Sequence, residues 1–167
     1  MAMPLKKLSK DAIPRALEKA DRYRLLNEPV QAESICLDVI DVDPTNQQAL
    51  TTLLLAITDG FADNAAEAMA RARDVLPRLD DEYKRHYYAG IICERRGTAH
   101  LRRGGPRAHE VADGWLREAM PHYERAEHLR PPGNDEAILR WNACARLLNR
   151  SERLHPRVHE EFEPALE

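Results

Sequence analysis

Apolar residues recur along this chain at three- and four-residue spacing, in short runs closed by proline, glycine or asparagine. Ala16, Ala20, Tyr23 and Leu26 fall on one helical face. Asn27 and Glu28-Pro29 end that helix and begin another, because proline fits only a first helical turn. Ala32, Ile35, Cys36 and Val39 form the next apolar stripe, and Asp43-Pro44 stops it. Residues 13–44 therefore read as two antiparallel helices with a tight break, and the rest of the chain follows their pattern.

Asn46 is placed to cap a third helix, with Leu50, Leu53, Leu54 and Ile57 at helical spacing and Gly60 at its end. Asp63 or Asn64 is the expected cap of a fourth. There Ala65, Ala66, Met69, Ala72, Val75 and Leu76 point inward and Pro77 closes the unit. Asp80 is the expected cap of a fifth helix, in which Ala89-Gly90 gives a close crossing. Beyond Gly97 the apolar positions Ala99, Leu101, Val111, Ala112 and Trp115 favour two helices extended past the usual turn and joined at Gly104-Gly105-Pro106. Asn134 or Asp135 caps a last helix with Ala137, Ile138, Trp141, Cys144, Ala145 and Leu148 apolar. Residues 1–8 read as a flexible lead with Ser9 as the first cap, and residues 149–167 as an irregular or briefly helical tail.

Small residue, large residue and closing proline recur three times, and this resembles the tetratricopeptide repeat (TPR), a 34-residue helix–turn–helix unit. Ala20, Tyr23, Ala32 and Pro44 match it; Lys19 and Cys36 depart from it. The resemblance implies an all-α fold, a right-handed α-solenoid of antiparallel hairpins at 13–44, 47–77 and 83–131. The third hairpin is extended, and a capping helix at 134–148 closes the array. It implies a scaffold and no catalysis. Its concave groove receives a peptide or a partner helix. The family's spacing places Leu17, Asp21 and Arg24 on that groove, with Gln48, Thr51, Thr52 and Leu55. It adds Lys84, Tyr87, Tyr88, Ile91 and Arg95, and from the last helix Ile138, Asn142 and Arg146. Some relatives clamp a chaperone's C-terminal carboxylate with lysines, asparagines and arginine. Leu17, Asp21, Thr52 and Tyr88 stand at clamp positions here and Lys84 alone fits, so chaperone-tail binding is not expected.

Charge adds a second reading. The net charge of −3 gives no overall nucleic-acid or membrane signature. Residues 84–109, however, carry seven Lys/Arg against one acid, between two acidic flanks. Arg96, Arg102, Arg103 and Arg107 lie in this segment and suit phosphate or carboxylate. Binding of an anionic partner there, nucleic acid included, is the alternative to a solvated surface. Cys36, Cys93 and Cys144 are odd in number and sit in apolar helical contexts, as reduced core residues do. That fits a reducing, cytoplasmic location. No apolar stretch is long enough to span a bilayer. His155 and His159 have metal-ligand spacing, but Pro156 disfavours helix between them. No metal, cofactor or catalytic set is expected. The partner is expected to be a protein or peptide, and self-association through the terminal faces stays open.

Overall fold

The computed structural model describes residues 2–61 and 65–156, and all regular structure among them is helical. A 3-10 turn, Lys10–Ala12, leads into α1 (Ile13–Leu25), α2 (Pro29–Val42), α3 (Gln47–Asp59) and α4 (Ala65–Val75). A second 3-10 turn, Leu76–Arg78, precedes α5 (Glu82–Arg103), α6 (Ala108–Leu129) and α7 (Glu136–Leu154). None of these helices is long and apolar enough to cross a membrane.

The breaks lie where local chemistry requires them. Asn27 takes a left-handed conformation, φ 59°, which asparagine tolerates better than most residues. The Glu28 N–H then donates to the Tyr23 carbonyl at 2.8 Å and satisfies one of α1's last acceptors. Asn46 caps α3, its Oδ1 accepting from the Ala49 N–H at 2.9 Å. At α5 the cap is Asp81, not Asp80: its Oδ1 accepts from the Tyr83 N–H at 2.8 Å. The Asp80 N–H is instead taken by Gln47 Oε1. Asn134 Oδ1 accepts from the Glu136 N–H, so asparagine and not Asp135 serves the start of α7. Ser9 makes no side-chain cap. The expected caps Asp63 and Asn64 lie outside the described residues.

Two expected boundaries move. Helix α7 continues to Leu154 because Ser151 is buried and its hydroxyl donates to Asp113 Oδ2 at 2.9 Å. The lead is anchored at its end: Leu8 packs against the buried group Leu17, Val39 and Ala49.

The long third pair forms as expected. Helices α5 and α6 have 22 residues each, with Gly104 and Gly105 at positive φ in the connection. Gly97 ends nothing. It lies inside α5, where an added Cβ would meet the Ala112 carbonyl at 3.1 Å and the Trp115 Cβ at 3.2 Å. Gly90 is tighter still, since a Cβ there would stand 2.6–2.8 Å from the Tyr123 ring. A mid-helix glycine costs about 1 kcal/mol relative to alanine. Here it lets Tyr123 bury completely.

Side-chain pairs join the helices in two layers. In one, Thr52 of α3 donates to Asp21 of α1, Arg95 of α5 reaches Asp59 of α3, and Arg140 of α7 reaches Glu94 of α5. In the other, Arg71 of α4 pairs with Glu33 of α2, and Arg73 of α4 with Glu118 of α6 at 3.5 Å. One core cluster is built from α1 to α4 with Leu79 and Ile92; the second is built from α5, α6 and α7. Tyr88 and Trp115 pack against both.

All three cysteines are buried and unpaired. Burial pushes the thiols of Cys36 and Cys144 up to about 12 and that of Cys93 to about 11, from an ordinary 9.0. A thiol protonated at neutral pH is a poor nucleophile, which suits packing and not chemistry. The unfolded chain releases these protons first. Stability is therefore fully present below about pH 9 and is lost as pH rises through 9 toward 11–12. Urea midpoints should fall between about pH 8 and about pH 10, and replacing the three cysteines by alanine should flatten the decline. An unchanged alkaline slope in that variant would assign it elsewhere.

Candidate functional site: an arginine-lined pocket

Helices α1 and α3 end side by side. Arg24 lies in the last turn of α1, where a cation complements the helix dipole. Asp59 is the last residue of α3, where an acid is unfavourable unless it is paired. It is paired twice. Arg24 Nε donates to Asp59 Oδ2 at 2.8 Å, and Arg95 Nη1 donates to Oδ1 at 2.5 Å. The three residues are separated by 35 and 36 positions, so each comes from the equivalent level of α1, α3 and α5. Arg95 Nη1 also donates to the Leu55 carbonyl at 3.0 Å and to Thr58 Oγ1 at 2.7 Å, closing the C-terminal end of α3. Burial pulls the Arg95 guanidinium below its ordinary value, with Asp59 opposing the shift; an arginine stays charged regardless.

Immediately before Arg95 on α5, Glu94 is 8% exposed. It accepts from the Tyr123 hydroxyl at 2.5 Å and from Arg140 Nη1 at 3.1 Å. Burial first, and then the Glu94 charge, raise the Tyr123 phenol far above its ordinary value. Tyr123 is thus a fixed donor, and Glu94 is held between a neutral and a cationic one.

Arg24, Asp59, Glu94, Arg95 and Arg140 line a cavity of about 440 Å³ with Leu25, Asn27, Thr98 and Arg102. Its wall carries Arg24, Arg95, Arg102 and Arg140 against Asp59 and Glu94, an excess of two positive charges. Arg102 is exposed and makes no hydrogen bond or ion pair among the described residues. The Arg24–Asp59 and Arg95–Asp59 pairs are partly solvated, and such pairs give about 0–1 kcal/mol each. Their larger effect is positional: they aim charge at one opening.

Of the residues expected on the groove, the structure brings together Arg24, Arg95 and, through its carbonyl, Leu55. Asp21 is taken by Thr52. Thr51, Lys84, Tyr88, Ile138 and Asn142 are half-buried, Gln48 and Arg146 are exposed, and none of these seven lines the pocket. Leu17, Thr52, Tyr87 and Ile91 are corrected to core positions at 3%, 4%, 8% and 1% exposure. Tyr87 lies within 6 Å of the rings of Tyr83, Tyr88 and Tyr123 and donates to Glu136 Oε2 at 3.1 Å.

The basic segment does not act as one stripe, because a helix turns successive arginines apart. Arg95 and Arg102 enter the pocket. Arg96, Arg103 and His100 line a neighbouring cavity of about 260 Å³ beside Phe61, which Arg102 also reaches. Arg107 sits at the tip and pairs with Glu110 at 2.8 Å. His155 packs its ring 4.3 Å from His109, and His159 lies outside the described residues.

Asp59, Glu94, Thr98 and Arg140 were not expected at a site. Glu94 had a readable signal: with Gly90 and Gly97 it falls at i, i+4 and i+7, on the face that makes a close crossing. An acid on that face has to be buried and bonded. No family model matches the chain, and no curated protein or solved structure matches it.

Proposed function

We propose that this chain is a TPR-like scaffold, a right-handed solenoid of helix pairs. In this reading it holds a segment of another protein across the face formed by α1, α3, α5 and α7. The observation that carries it is the Arg24–Asp59–Arg95 row, one residue per inner helix at 35- and 36-residue steps. Such a row fits a repeat of about 34 residues. Repeat arrays of this kind present one continuous surface to a partner. The role is recognition without a catalytic step, in a reducing compartment such as the cytoplasm. The alternative, an anionic partner held by residues 84–109, gains support from Arg95 and Arg102 entering the pocket, and both readings then share one surface.

The test compares two exposed leucines. Leu25, 88% exposed, stands on the pocket rim, and Leu37, 49% exposed, stands on α2 in the other layer. A photo-crosslinking amino acid at position 25 should capture a discrete partner from the cells that make the protein, and the same group at position 37 should not. Equal or stronger capture at 37 would move the binding face to the other layer.

A further inference from the structure

We infer that the arginine-lined pocket takes acidic side chains of a partner peptide, and that Asp59 is an internal acid holding their place. This rests on the reading of that face as the docking surface.

The chemistry is already displayed within the molecule. Both oxygens of Asp59 engage guanidinium donors, one from Arg24 and one from Arg95. A guanidinium has five N–H groups in a rigid fork. Arg24 donates to Asp59 through Nε alone, Arg95 makes its bonds through Nη1, and Arg140 donates to Glu94 through Nη1 and also bonds the Tyr87 hydroxyl. Further donors are left on three arginines beside an opening, and Arg102 uses none among the described residues. Two internal acids cannot neutralise four arginines, so the cavity keeps a positive balance. A carboxylate entering it meets forked donors held at several points, which is the geometry that favours arginine over lysine.

The lining separates a peptide from a nucleic acid. Single-stranded nucleic acid is held by aromatic platforms as well as charge. No aromatic side chain lines this pocket, and its rim carries Leu25 and Asn27. An exposed leucine beside four arginines suits an acidic segment that also carries an apolar residue. The acids in question are side chains and not the chain terminus, because the four guanidinium groups come from three separate helices, spread around one cavity.

The experiment measures fluorescence anisotropy of a labelled, acetylated and amidated oligoglutamate peptide with the intact protein. Its controls are the same peptide with a free C-terminus and a single-stranded oligonucleotide of equal charge. Both peptides should bind alike, and the oligonucleotide more weakly. Asp59→Asn keeps one oxygen acceptor, which can serve Arg24 or Arg95 but not both, and removes the competing charge, so it should tighten peptide binding about three- to ten-fold. Arg102→Glu should weaken it by about ten-fold or more. Arg102 is exposed and has no partner among the described residues, so this variant should keep its fold and decides the matter if Asp59→Asn does not. Tighter binding of the oligonucleotide, dependence on the free terminus, or affinity unchanged in both variants would overturn the inference. Rim crosslinking at position 25 without oligoglutamate binding would leave the scaffold reading standing and this one refuted.

Discussion

Gly90→Ala destabilises the native chain by about 1–3 kcal/mol, yet stabilises the Tyr123→Ala variant by up to about 1 kcal/mol. The reversal of sign follows from one contact. The new methyl would lie 2.6–2.8 Å from three atoms of the Tyr123 ring. That ring has no solvent exposure, packs 5.9 Å from Tyr87, and is tied by its hydroxyl to Glu94. It has no free direction in which to give way, so the strain reaches the α5–α6 crossing. Without the ring, only alanine's better helix propensity remains. Tyr123→Ala by itself should cost about 3–5 kcal/mol, as large aromatic deletions do when the cavity cannot collapse. A double-mutant cycle in urea isolates the coupling, which should have the sign of a clash. A neutral Gly90→Ala in the native background would show that α5 and α6 can separate at no cost.

Glu94→Ala should cost about 3 kcal/mol, near the upper end for a buried donor left without an acceptor. The Tyr123 hydroxyl, on a residue with no solvent exposure, would lose its bond, while Arg140, half-exposed, can turn to water. Glu94→Gln keeps an acceptor and should cost clearly less. Glu94→Leu combined with Tyr123→Phe removes both polar partners and should recover much of the loss, because apolar groups of similar shape leave nothing unsatisfied. If the double variant were no better than Glu94→Leu alone, the Tyr123 bond would not be the source of the cost.

The helices were legible because their punctuation is local. Asn27-Glu28-Pro29, Asn46 and Gly104-Gly105-Pro106 act within a few residues, and the structure breaks at those places. The extension of α5 and α6 was legible from Ala99, Ala112 and Trp115, which are too apolar for a loose loop. The end of α7 was not, because it depends on Ser151 reaching Asp113, a partner 38 residues away. The candidate site shows the same division. Arg24 and Arg95 were placed on one face by the repeat family's spacing, carried over through the resemblance. Leu17, Thr52, Tyr87 and Ile91 were misplaced because repeat spacing fixes a helix face only to within one neighbouring position. The face one step over packs against the adjoining helix. Asp59 looked like an ordinary helix end before Gly60, and only its two distant partners give it another meaning.

The shared roles of Tyr88 and Trp115 bear on how this chain is made. The core of α1 to α4 is completed by Ile92, with Tyr88, Ala99 and Trp115 packed over it. All four are synthesised after α4. During translation the first half leaves the ribosome with one side of its core still facing water, and domains ordinarily fold as whole units as they emerge. Two helix pairs therefore wait, half-closed and sticky, until the long α5–α6 pair arrives to cover them. The apolar side of that core stays open to water from the emergence of Leu79 until that of Trp115.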